Sequence, residues 1–373
     1  MTEQPLRILQ VIETGGPGGA ETVFARLSGS LAERGHAVQC LIRKGSWLPD
    51  ELDRRGLPVS YITSRGAFDL ALIRFIRELI REHRIQLVHG HLFDGALYAA
   101  IAARSLGIPS VVTLHGQVDV GRSGWRMAIK RALFARCVDR VVLVSRALQQ
   151  ELATSLPMPV VRQLILHNGV PIPDNLDAQD AVQLAARTRS SSDMARVVAI
   201  GNIRAPKNYP LLLQSIELVR RLIPNIHLDI VGEPDRGGLQ QQLEREVAAR
   251  DLQHAVTFRG FVPEPGELLR GADAFVLASS QEGFSLATIE AMLQGVPVVC
   301  SRSGGPEEIV SDGHTGRLVP VNDAEALANA LIDTLRDRES AHQMAQRARR
   351  HAIEQFSLNT MVERYEHLYR SLV

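Results

Sequence analysis

Short apolar runs alternate with longer amphipathic segments along the whole chain. Apolar runs bounded by glycine, proline or asparagine predict buried strands, and the amphipathic segments predict helices. The predicted strands span residues 6–12, 38–42, 86–89, 110–114, 140–144, 163–166, 196–200, 227–231, 256–258, 274–278 and 298–300. The predicted helices include residues 20–34, 69–84, 209–222, 239–250 and 324–335. Continuous apolar strands that alternate with helices are typical of parallel sheets, so the pattern predicts two doubly wound α/β domains.

A polar stretch interrupts this alternation near the middle of the chain. Pro171-Ile172-Pro173 and the stretch 175–193 separate the two halves, and residues 358–372 have helical periodicity after the last predicted strand. Ligands of open parallel sheets bind beyond the carboxyl ends of the strands, so we expect the two domains to face each other across a cleft. The predicted parts are an N-terminal domain over 1–175, a C-terminal domain over 176–355, and a helix in 356–373 that packs back towards the N-terminal domain.

Composition is that of a folded globular protein, with 45% hydrophobic and 22% charged residues in 373 positions. The three cysteines, Cys40, Cys137 and Cys300, are far apart and lack metal-ligand spacing, which favours a reducing compartment. No signal-peptide pattern precedes the first predicted strand, and no apolar run approaches the roughly 20 residues that span a bilayer. We therefore expect a cytoplasmic protein that is soluble or peripherally bound to a membrane.

Charge is distributed unevenly between the two halves. Residues 1–170 carry 21 Lys/Arg against 14 Asp/Glu, and the remainder carries 21 against 27. Two predicted amphipathic helices hold basic residues: Arg74, Arg77, Arg81 and Arg84 in one, and Arg122, Arg126, Lys130 and Arg131 in the other. Two explanations stay open, namely contact with an anionic membrane at its inner face and ordinary solvated surface charge. We expect no nucleic-acid partner.

The segment after predicted strand 274–278 opens a helix and holds two carboxylates. Free amides near Phe284, Ser285 and Leu286 predict a seat for a diphosphate. Glu282 lies just before the helix, and Glu290 lies inside it among apolar neighbours, where a ribose diol would satisfy its carboxylate. The alternative is that Glu282 caps the helix and Glu290 meets a structural partner.

Further candidates follow other predicted strands. Arg204 and Lys207 lie in the loop after strand 196–200, where two cations could neutralise a diphosphate. In isolation, two solvated loop charges explain them as well. His115 directly follows strand 110–114, and a lone histidine at such a place is either structural or catalytic.

Glycine-rich turns follow several predicted strands. Gly18 and Gly19 belong to the turn between the first strand and the first helix, whose spacing differs from the dinucleotide-binding G-x-G-x-x-G. Gly232 and Gly260 follow two strands of the second half, and either could be a turn glycine without a ligand.

The carboxylates and the motifs that follow them resemble family 4 retaining glycosyltransferases of the GT-B fold. Glu282 and Glu290 match the E-x7-E signature of that family, and the glycine-containing stretches 295–299, 304–310 and 313–316 continue its pattern in order. The loop 201–208 resembles the family's G-R-x-x-x-x-K motif, with Lys207 as its lysine. Asn202 occupies the usual arginine position, and Ser285 stands where many members have glycine.

The resemblance implies roles for the candidate residues. It implies that Glu282 contacts the donor sugar, that Glu290 binds the nucleotide ribose, and that His115 hydrogen-bonds the donor sugar. Lys207 is then a phosphate ligand, and Arg204 is expected to replace the missing arginine. By the same resemblance, Gly232 and Gly260 lie near the base, and Gly18 and Gly19 belong to a loop that closes over the phosphates and the acceptor.

The implied activity is retaining transfer of a hexose from a UDP- or GDP-sugar to a hydroxyl acceptor in cell-surface polysaccharide or glycolipid synthesis. The acceptor is a sugar, a lipid-linked glycan or a small molecule. The sequence contains no D-x-D, so we expect neither a metal nor another cofactor. Three alternatives stay open: a nucleotide-sugar epimerase, a sugar phosphorylase, and a bilobed sugar-binding module without catalysis.

Overall fold

The computed structural model describes residues 4–63, 69–116, 124–155, 158–173 and 194–373. The chain divides into two compact units, the first consisting of Met1–Gly169 with Leu358–Val373 and the second of Val170–Ser357. The polar stretch 175–193 and the expected boundary at residue 175 lie outside the described residues.

The first unit contains a parallel sheet of seven described strands in the order β3-β2-β1-β4-β5-β6-β7. Its strands are β1 (Arg7–Ile12), β2 (Ala37–Ile42), β3 (Val59–Tyr61), β4 (Leu87–His91), β5 (Ser110–Leu114), β6 (Arg140–Leu143) and β7 (Gln163–Ile165). The helices between them are α1 (Gly19–Glu33), α2 (Leu48–Arg54), α3 (Leu70–Glu82), α4 (Asp94–Arg104), α5 (Trp125–Cys137) and α6 (Arg146–Leu152).

The second unit contains a parallel sheet of six described strands in the order β10-β9-β8-β11-β12-β13. Its strands are β8 (Ala195–Ile200), β9 (Ile226–Val231), β10 (Val256–Gly260), β11 (Ala274–Leu277), β12 (Val298–Ser301) and β13 (Arg317–Val319). Its helices are α7 (Tyr209–Arg220), α8 (Leu239–Ala249), α9 (Gly266–Arg270), α10 (Leu286–Leu293), α11 (Pro306–Ile309), α12 (Ala324–Arg336) and α13 (Arg338–Phe356). The fold class predicted from the apolar pattern, two doubly wound α/β domains, is confirmed.

Helix α14 (Leu358–Arg370) ends the chain and belongs to the first unit. Its Tyr365 and Tyr369 are fully buried there. Glu366 accepts a hydrogen bond from Arg34 and lies 2.8 Å from Nε2 of His36, so polar contacts also attach this helix to the unit.

Two strands and a long helix are among the elements that the pattern did not predict. Strands β3 and β13 have three residues each and lie at sheet edges, so their pairing comes from the neighbouring strand more than from local pattern. Helix α13 has 19 residues, most of them polar, and alanines make up most of its buried face. A stripe of alanines gives a weak apolar signal, although alanine has the highest helix propensity.

Two basic segments differ from their predicted form. Helix α3 ends at Glu82, so Arg84 lies beyond it in a left-handed conformation (φ 50°). In α5, Lys130 forms an ion pair with Asp94 at 2.5 Å, which explains its charge within the fold. The predicted Arg122 lies outside the described residues. Among the described helices, none has the length and apolar character needed to cross a bilayer.

Both sheets have a point where the strand order reverses direction, between β1 and β4 in the first unit and between β8 and β11 in the second. At such a point the loops after the two strands diverge to opposite faces of the sheet and leave a crevice beyond their carboxyl ends. Candidate ligand-binding residues are therefore expected in the loops that follow these four strands.

Close packing of β4 on α4 gives a testable prediction. A Cβ added at Gly90 would lie 2.4 Å from Cβ of Ala96, so we expect Gly90→Ala to lower the free energy of unfolding by about 1–3 kcal/mol. The matched control is Gly16→Ala, because no atom lies within 4 Å of a Cβ added at Gly16. Urea unfolding followed by circular dichroism measures both, and equal stability of the two variants would contradict the packing argument.

Candidate functional site

The loops after β8 and β11 meet at the reversal point of the second sheet. The backbone N–H of Ser280, after β11, donates to the carbonyl oxygen of Pro206, after β8, at 2.8 Å. Pro206 lies in the short 3₁₀ turn Ala205–Lys207. The hydrogen bond joins the two loops on which the sequence placed the phosphate-binding cations and the first carboxylate.

Lys207 and Glu282 contact each other across this junction. The Nζ of Lys207 lies 2.5 Å from Oε2 of Glu282, and their side chains are only 22% and 16% exposed. The hydroxyl of Ser279 donates to the same carboxylate oxygen at 3.3 Å. Because an ammonium has three N–H donors, Lys207 retains donor capacity for a second acceptor beside Glu282.

The backbone of Glu282 is fixed on both sides. Its N–H donates to the carbonyl oxygen of Ser303, and its own carbonyl oxygen accepts from the N–H of Gly305, both at 2.8 Å. A Cβ at Gly305 would lie 2.5 Å from the carbonyl oxygen of Gly283, so glycine is required for this approach. The loop after β12 therefore holds Glu282 in position.

Three glycines allow the strand ends to approach one another. A Cβ at Gly201 would lie 2.6 Å from Cε of Lys207, and one at Gly232 would lie 2.1 Å from the carbonyl oxygen of Gly201. Gly232 donates its N–H to the carbonyl oxygen of Gly260, which has a φ of +67°. The close backbone contact explains glycine at the predicted position Gly232, and the positive φ explains glycine at the predicted position Gly260.

Asn202, at the family's arginine position, joins two loops. Its Oδ1 accepts the N–H of Glu233 at 3.0 Å, and the N–H of Ile203 donates to the carbonyl oxygen of Glu233 at 2.9 Å. Arg204 is exposed and immediately precedes the turn that holds Lys207. Asn202 therefore has a structural role in this chain, at a position where the family usually has arginine.

Helix α10 begins later than two of the predicted anion-binding amides. Ser285 is its N-cap, and the Ser285 hydroxyl accepts from the backbone N–H and the hydroxyl of Thr288 at 3.3 and 2.8 Å. Phe284 precedes the cap, and its ring packs against Phe356 with centroids 5.7 Å apart. Of the three predicted amides, only that of Leu286 lies within the first turn. Glu290 is half-buried in the second turn.

The glycine-rich turn of the first unit is constrained mainly at Gly15. A Cβ there would lie 2.5 Å from the carbonyl oxygen of Arg43. Gly18 is the N-cap of α1 with an extended φ of −172°, which any residue adopts, and a Cβ there would meet only the flexible side chain of Glu21. Gly19 is the first, exposed residue of α1. The backbone therefore does not itself require glycine at Gly18.

His115 follows β5 and contacts a second histidine. Its Nε2 lies 3.0 Å from Nδ1 of His91, and Nε2 of His91 lies 3.3 Å from Oε1 of Gln10. Burial lowers the pKa of His115 to about 4, so its imidazole is neutral at pH 7. His115 can therefore give and accept hydrogen bonds without adding positive charge.

Four residues near the reversal point of the first sheet were missed: Gln10, Glu13, His89 and His91. Glu13 directly follows β1. Its Oε2 accepts a hydrogen bond from the N–H of Gly95, at the start of α4, at 2.8 Å. Burial and then the neighbouring Asp94 raise the pKa of Glu13. A signal was present, since polar side chains inside or directly after apolar strands seldom lie in a core without a partner.

The two parallel sheets, each with its reversal point, define a pair of Rossmann-like domains, the architecture of GT-B glycosyltransferases. The family model described as Glycosyltransferase Family 4 matches residues 17–172, and the family model described as Glycosyl transferases group 1 matches residues 183–351. Together they account for most of the chain, and the protein belongs to this glycosyltransferase family. It is therefore a transferase, as the carboxylate spacing and its neighbouring motifs predicted.

Curated relatives align over nearly the full length. The N-acetyl-alpha-D-glucosaminyl L-malate synthase of Bacillus anthracis is 28% identical over 366 residues, covering 94% of this chain and 93% of that protein. The phosphatidyl-myo-inositol mannosyltransferase of Mycolicibacterium smegmatis is 25% identical, covering 86% and 82%. The structure of Anabaena HepE in complex with UDP-glucose shares the fold, with a TM-score of 0.85 at 21% identity, covering 98% and 100%.

The buried histidines predict a loss of stability in mild acid. Burial lowers the pKa of His115 to about 4 and that of His89 to about 3, against about 6.5 in an unfolded chain. Between these values the unfolded state binds more protons, so the free energy of unfolding should fall as the pH decreases from about 6.5 towards 4.

Urea unfolding at about pH 7.5 and about pH 5 measures this dependence. We expect His89→Gln to reduce the difference between the two pH values, because one neutral buried imidazole is removed. The control His254→Gln changes an exposed side chain and should leave the difference unchanged. An unaltered pH dependence in His89→Gln would refute this assignment.

Proposed function

We propose that the protein transfers a hexose from a nucleoside-diphosphate sugar to a hydroxyl acceptor, with retention of the anomeric configuration and without a divalent metal. The observation that carries the proposal is the 2.5 Å contact of Lys207 with Glu282 at the reversal point of the second sheet. A cation with spare donors beside a fixed carboxylate suits a ligand that joins a diphosphate to a polyhydroxylated ring.

The donor is assigned to the second unit. Lys207 and the first-turn amides of α10 bind the diphosphate, because a helix N-terminus and an ammonium both favour anions. Glu282 accepts from hydroxyl groups of the sugar, and Glu290 accepts from the ribose diol. Gly232 and Gly260 lie at strand ends next to the proposed base site, where the open space beside Gly260 leaves room for the base.

The remaining candidates have narrower roles in the proposal. Arg204 is exposed next to the turn of Lys207 and supplies a second cation to the phosphates. In the first unit, neutral His115 hydrogen-bonds the transferred sugar, and the turn with Gly18 and Gly19 contributes to phosphate and acceptor recognition. These roles follow the family resemblance of the surrounding motifs.

Bond cleavage needs stabilisation of the leaving diphosphate. Lys207 and the α10 amides supply this charge stabilisation, and positioning of the two substrates supplies the rest. In a retaining reaction without a protein nucleophile, the leaving phosphate oxygen accepts the proton of the attacking hydroxyl on the same face of the sugar. Among the described residues, no group of three His, Cys, Asp or Glu side chains could hold a metal ion.

The relatives favour a uridine nucleotide and a hydroxyl acceptor. HepE was solved with UDP-glucose, so UDP-hexoses are the first donors to test, with GDP-hexoses second. The names of the two curated relatives include a malate and a phosphatidylinositol, and both molecules carry a hydroxyl group. A polysaccharide or glycolipid acceptor at the inner membrane face fits the basic first half of the chain.

Removal of the Lys207 cation should abolish most transfer. We expect Lys207→Met to lower kcat by about 100-fold or more, because one charge stabiliser of the leaving group is lost. Nucleoside-diphosphate release is measured in the presence and absence of acceptor. The control Arg245→Gln removes an exposed cation from α8 of the same unit and should retain activity.

The outcomes separate the alternatives. Release that requires an acceptor supports transfer, a sugar isomer formed without acceptor indicates an epimerase, and dependence on inorganic phosphate indicates a phosphorylase. Sugar binding without nucleotide binding indicates a binding module. Full activity of Lys207→Met would contradict the proposed site.

Stereochemistry and metal dependence are tested on the same reaction. We expect the initial product from an α-linked donor to be α-linked by proton NMR, and the rate to be unchanged by excess EDTA. An inverted product, or a rate lost in EDTA and restored by Mg²⁺ or Mn²⁺, would contradict the proposed mechanism.

A further inference from the structure

Four buried polar side chains lie on one face of the first unit's sheet: Gln10 of β1, His89 and His91 of β4, and Thr113 of β5. In the strand register, Gln10 pairs with His89, and His91 pairs with Thr113. Side chains two residues apart on a strand share a face, so all four point the same way. Tyr365 and Tyr369 of α14 contact this polar group, which makes the last helix part of it.

Continuous hydrogen-bonding contacts connect this group to His115. In order, they join His115 Nε2 to His91 Nδ1 (3.0 Å), His91 Nε2 to Gln10 Oε1 (3.3 Å), Gln10 Nε2 to the Tyr369 hydroxyl (3.4 Å), that hydroxyl to His89 Nδ1 (2.6 Å), and His89 Nε2 to Thr113 Oγ1 (2.8 Å). We call this series the histidine chain. A side branch joins Thr113 Oγ1 to the Tyr365 hydroxyl at 2.9 Å.

Burial makes the proton positions interdependent. It lowers the pKa of all three histidines, so each ring is neutral and carries one N–H. Every contact needs one donor and one acceptor, so the orientation of the Gln10 amide fixes the tautomer of His91 and, through it, that of His115. A mismatched tautomer would place two donors or two acceptors against each other in a buried place, which costs more than a lost hydrogen bond in water.

The orientation of the Gln10 amide selects the tautomers of His91 and His115. Its Oε1 faces His91 and its Nε2 faces Tyr369, so Nε2 of His91 must be the donor to Gln10. His91 then accepts at Nδ1, and the N–H of His115 is on Nε2. The opposite tautomers of His91 and His115 require the amide to be turned by 180°.

The geometry of the two rings supports a directed hydrogen bond. The planes of His91 and His115 differ by only 14°, with centroids 5.3 Å apart and the facing nitrogens 3.0 Å apart. A nitrogen separation so much shorter than the centroid separation means that the rings meet edge to edge, so the N–H of one points at the lone pair of the other.

We propose that Gln10, His91 and Tyr369 are positioning residues that hold His115 as the neutral tautomer protonated on Nε2. Its Nδ1 therefore has no proton, and any hydrogen bond at that atom is one that His115 accepts. A hydroxyl or an N–H fits there, whereas a carbonyl oxygen does not. The use of this acceptor for a sugar hydroxyl rests on the proposed function, but the tautomer itself does not.

Nitrogen-15 NMR of the full chain labelled at histidine tests the tautomer without any activity. Two-bond proton–nitrogen correlations distinguish a ring protonated on Nε2 from one protonated on Nδ1, and a His115→Gln spectrum assigns the signals. We expect His91 and His115 both to be neutral with the proton on Nε2 at pH 7. A proton on Nδ1 of either His91 or His115 would overturn the proposal.

Two tyrosine variants of α14 form a matched pair. Tyr369→Phe removes the oxygen between Gln10 and His89, so the amide can turn and His115 should show averaged signals of both tautomers. Tyr365→Phe removes only the side branch beyond Thr113 and should leave the His115 signals unchanged. Both side chains are fully buried on the same helix, so loss of packing is similar. Identical His115 spectra for both variants would overturn the coupling.

Transfer activity gives the final readout. In Tyr369→Phe, kcat should fall in proportion to the population of the wrong tautomer, about twofold if both are equal, and Tyr365→Phe should retain the original rate. If no donor supports transfer, the proposed function fails while the NMR result still decides the tautomer. If transfer occurs and the His115 tautomer differs, only the positioning proposal fails.

Discussion

Parallel pairing of β11 with β8 is the constraint on which the second unit's candidate site depends. Because the two strands run in the same direction, both end at the same edge of the sheet, and their loops bring residues 75 positions apart in the chain to a contact of 2.5 Å. Lys207 and Glu282 have no local reason to meet. The glycines at Gly232 and Gly305 accompany this arrangement, since a Cβ at either position would overlap the backbone of a neighbouring loop.

Charged and polar groups are treated differently in the two units. The second unit holds its carboxylate against an ammonium and leaves that ammonium with donors to spare, which suits an anionic ligand. The first unit buries neutral imidazoles between amide and hydroxyl groups, where burial lowers the pKa of each histidine. The contrast matches the proposed function, in which the second unit binds a charged diphosphate and the first unit recognises uncharged hydroxyls.

Departures from the family pattern have local physical reasons. Asn202 is not simply a lost arginine, because its Oδ1 accepts the Glu233 N–H and fixes two loops to each other. Ser285 uses its hydroxyl to cap α10, a role that glycine could not fill in the same way. Gly18, in contrast, has a conformation that other residues could adopt, so its conformation gives no reason for glycine.

The sequence by itself determined the α/β class, most strand positions and the residue types that form the candidate donor site, because apolar periodicity and motif spacing are local properties. It did not determine the short edge strands β3 and β13, which depend on a neighbour for pairing, or the alanine-faced helix α13. Only the tertiary structure decided that Glu282 touches Lys207 and that Tyr369, 280 positions away from His89, contacts it. Such contacts depend on strand order and burial, and neither can be read from residues adjacent in the chain.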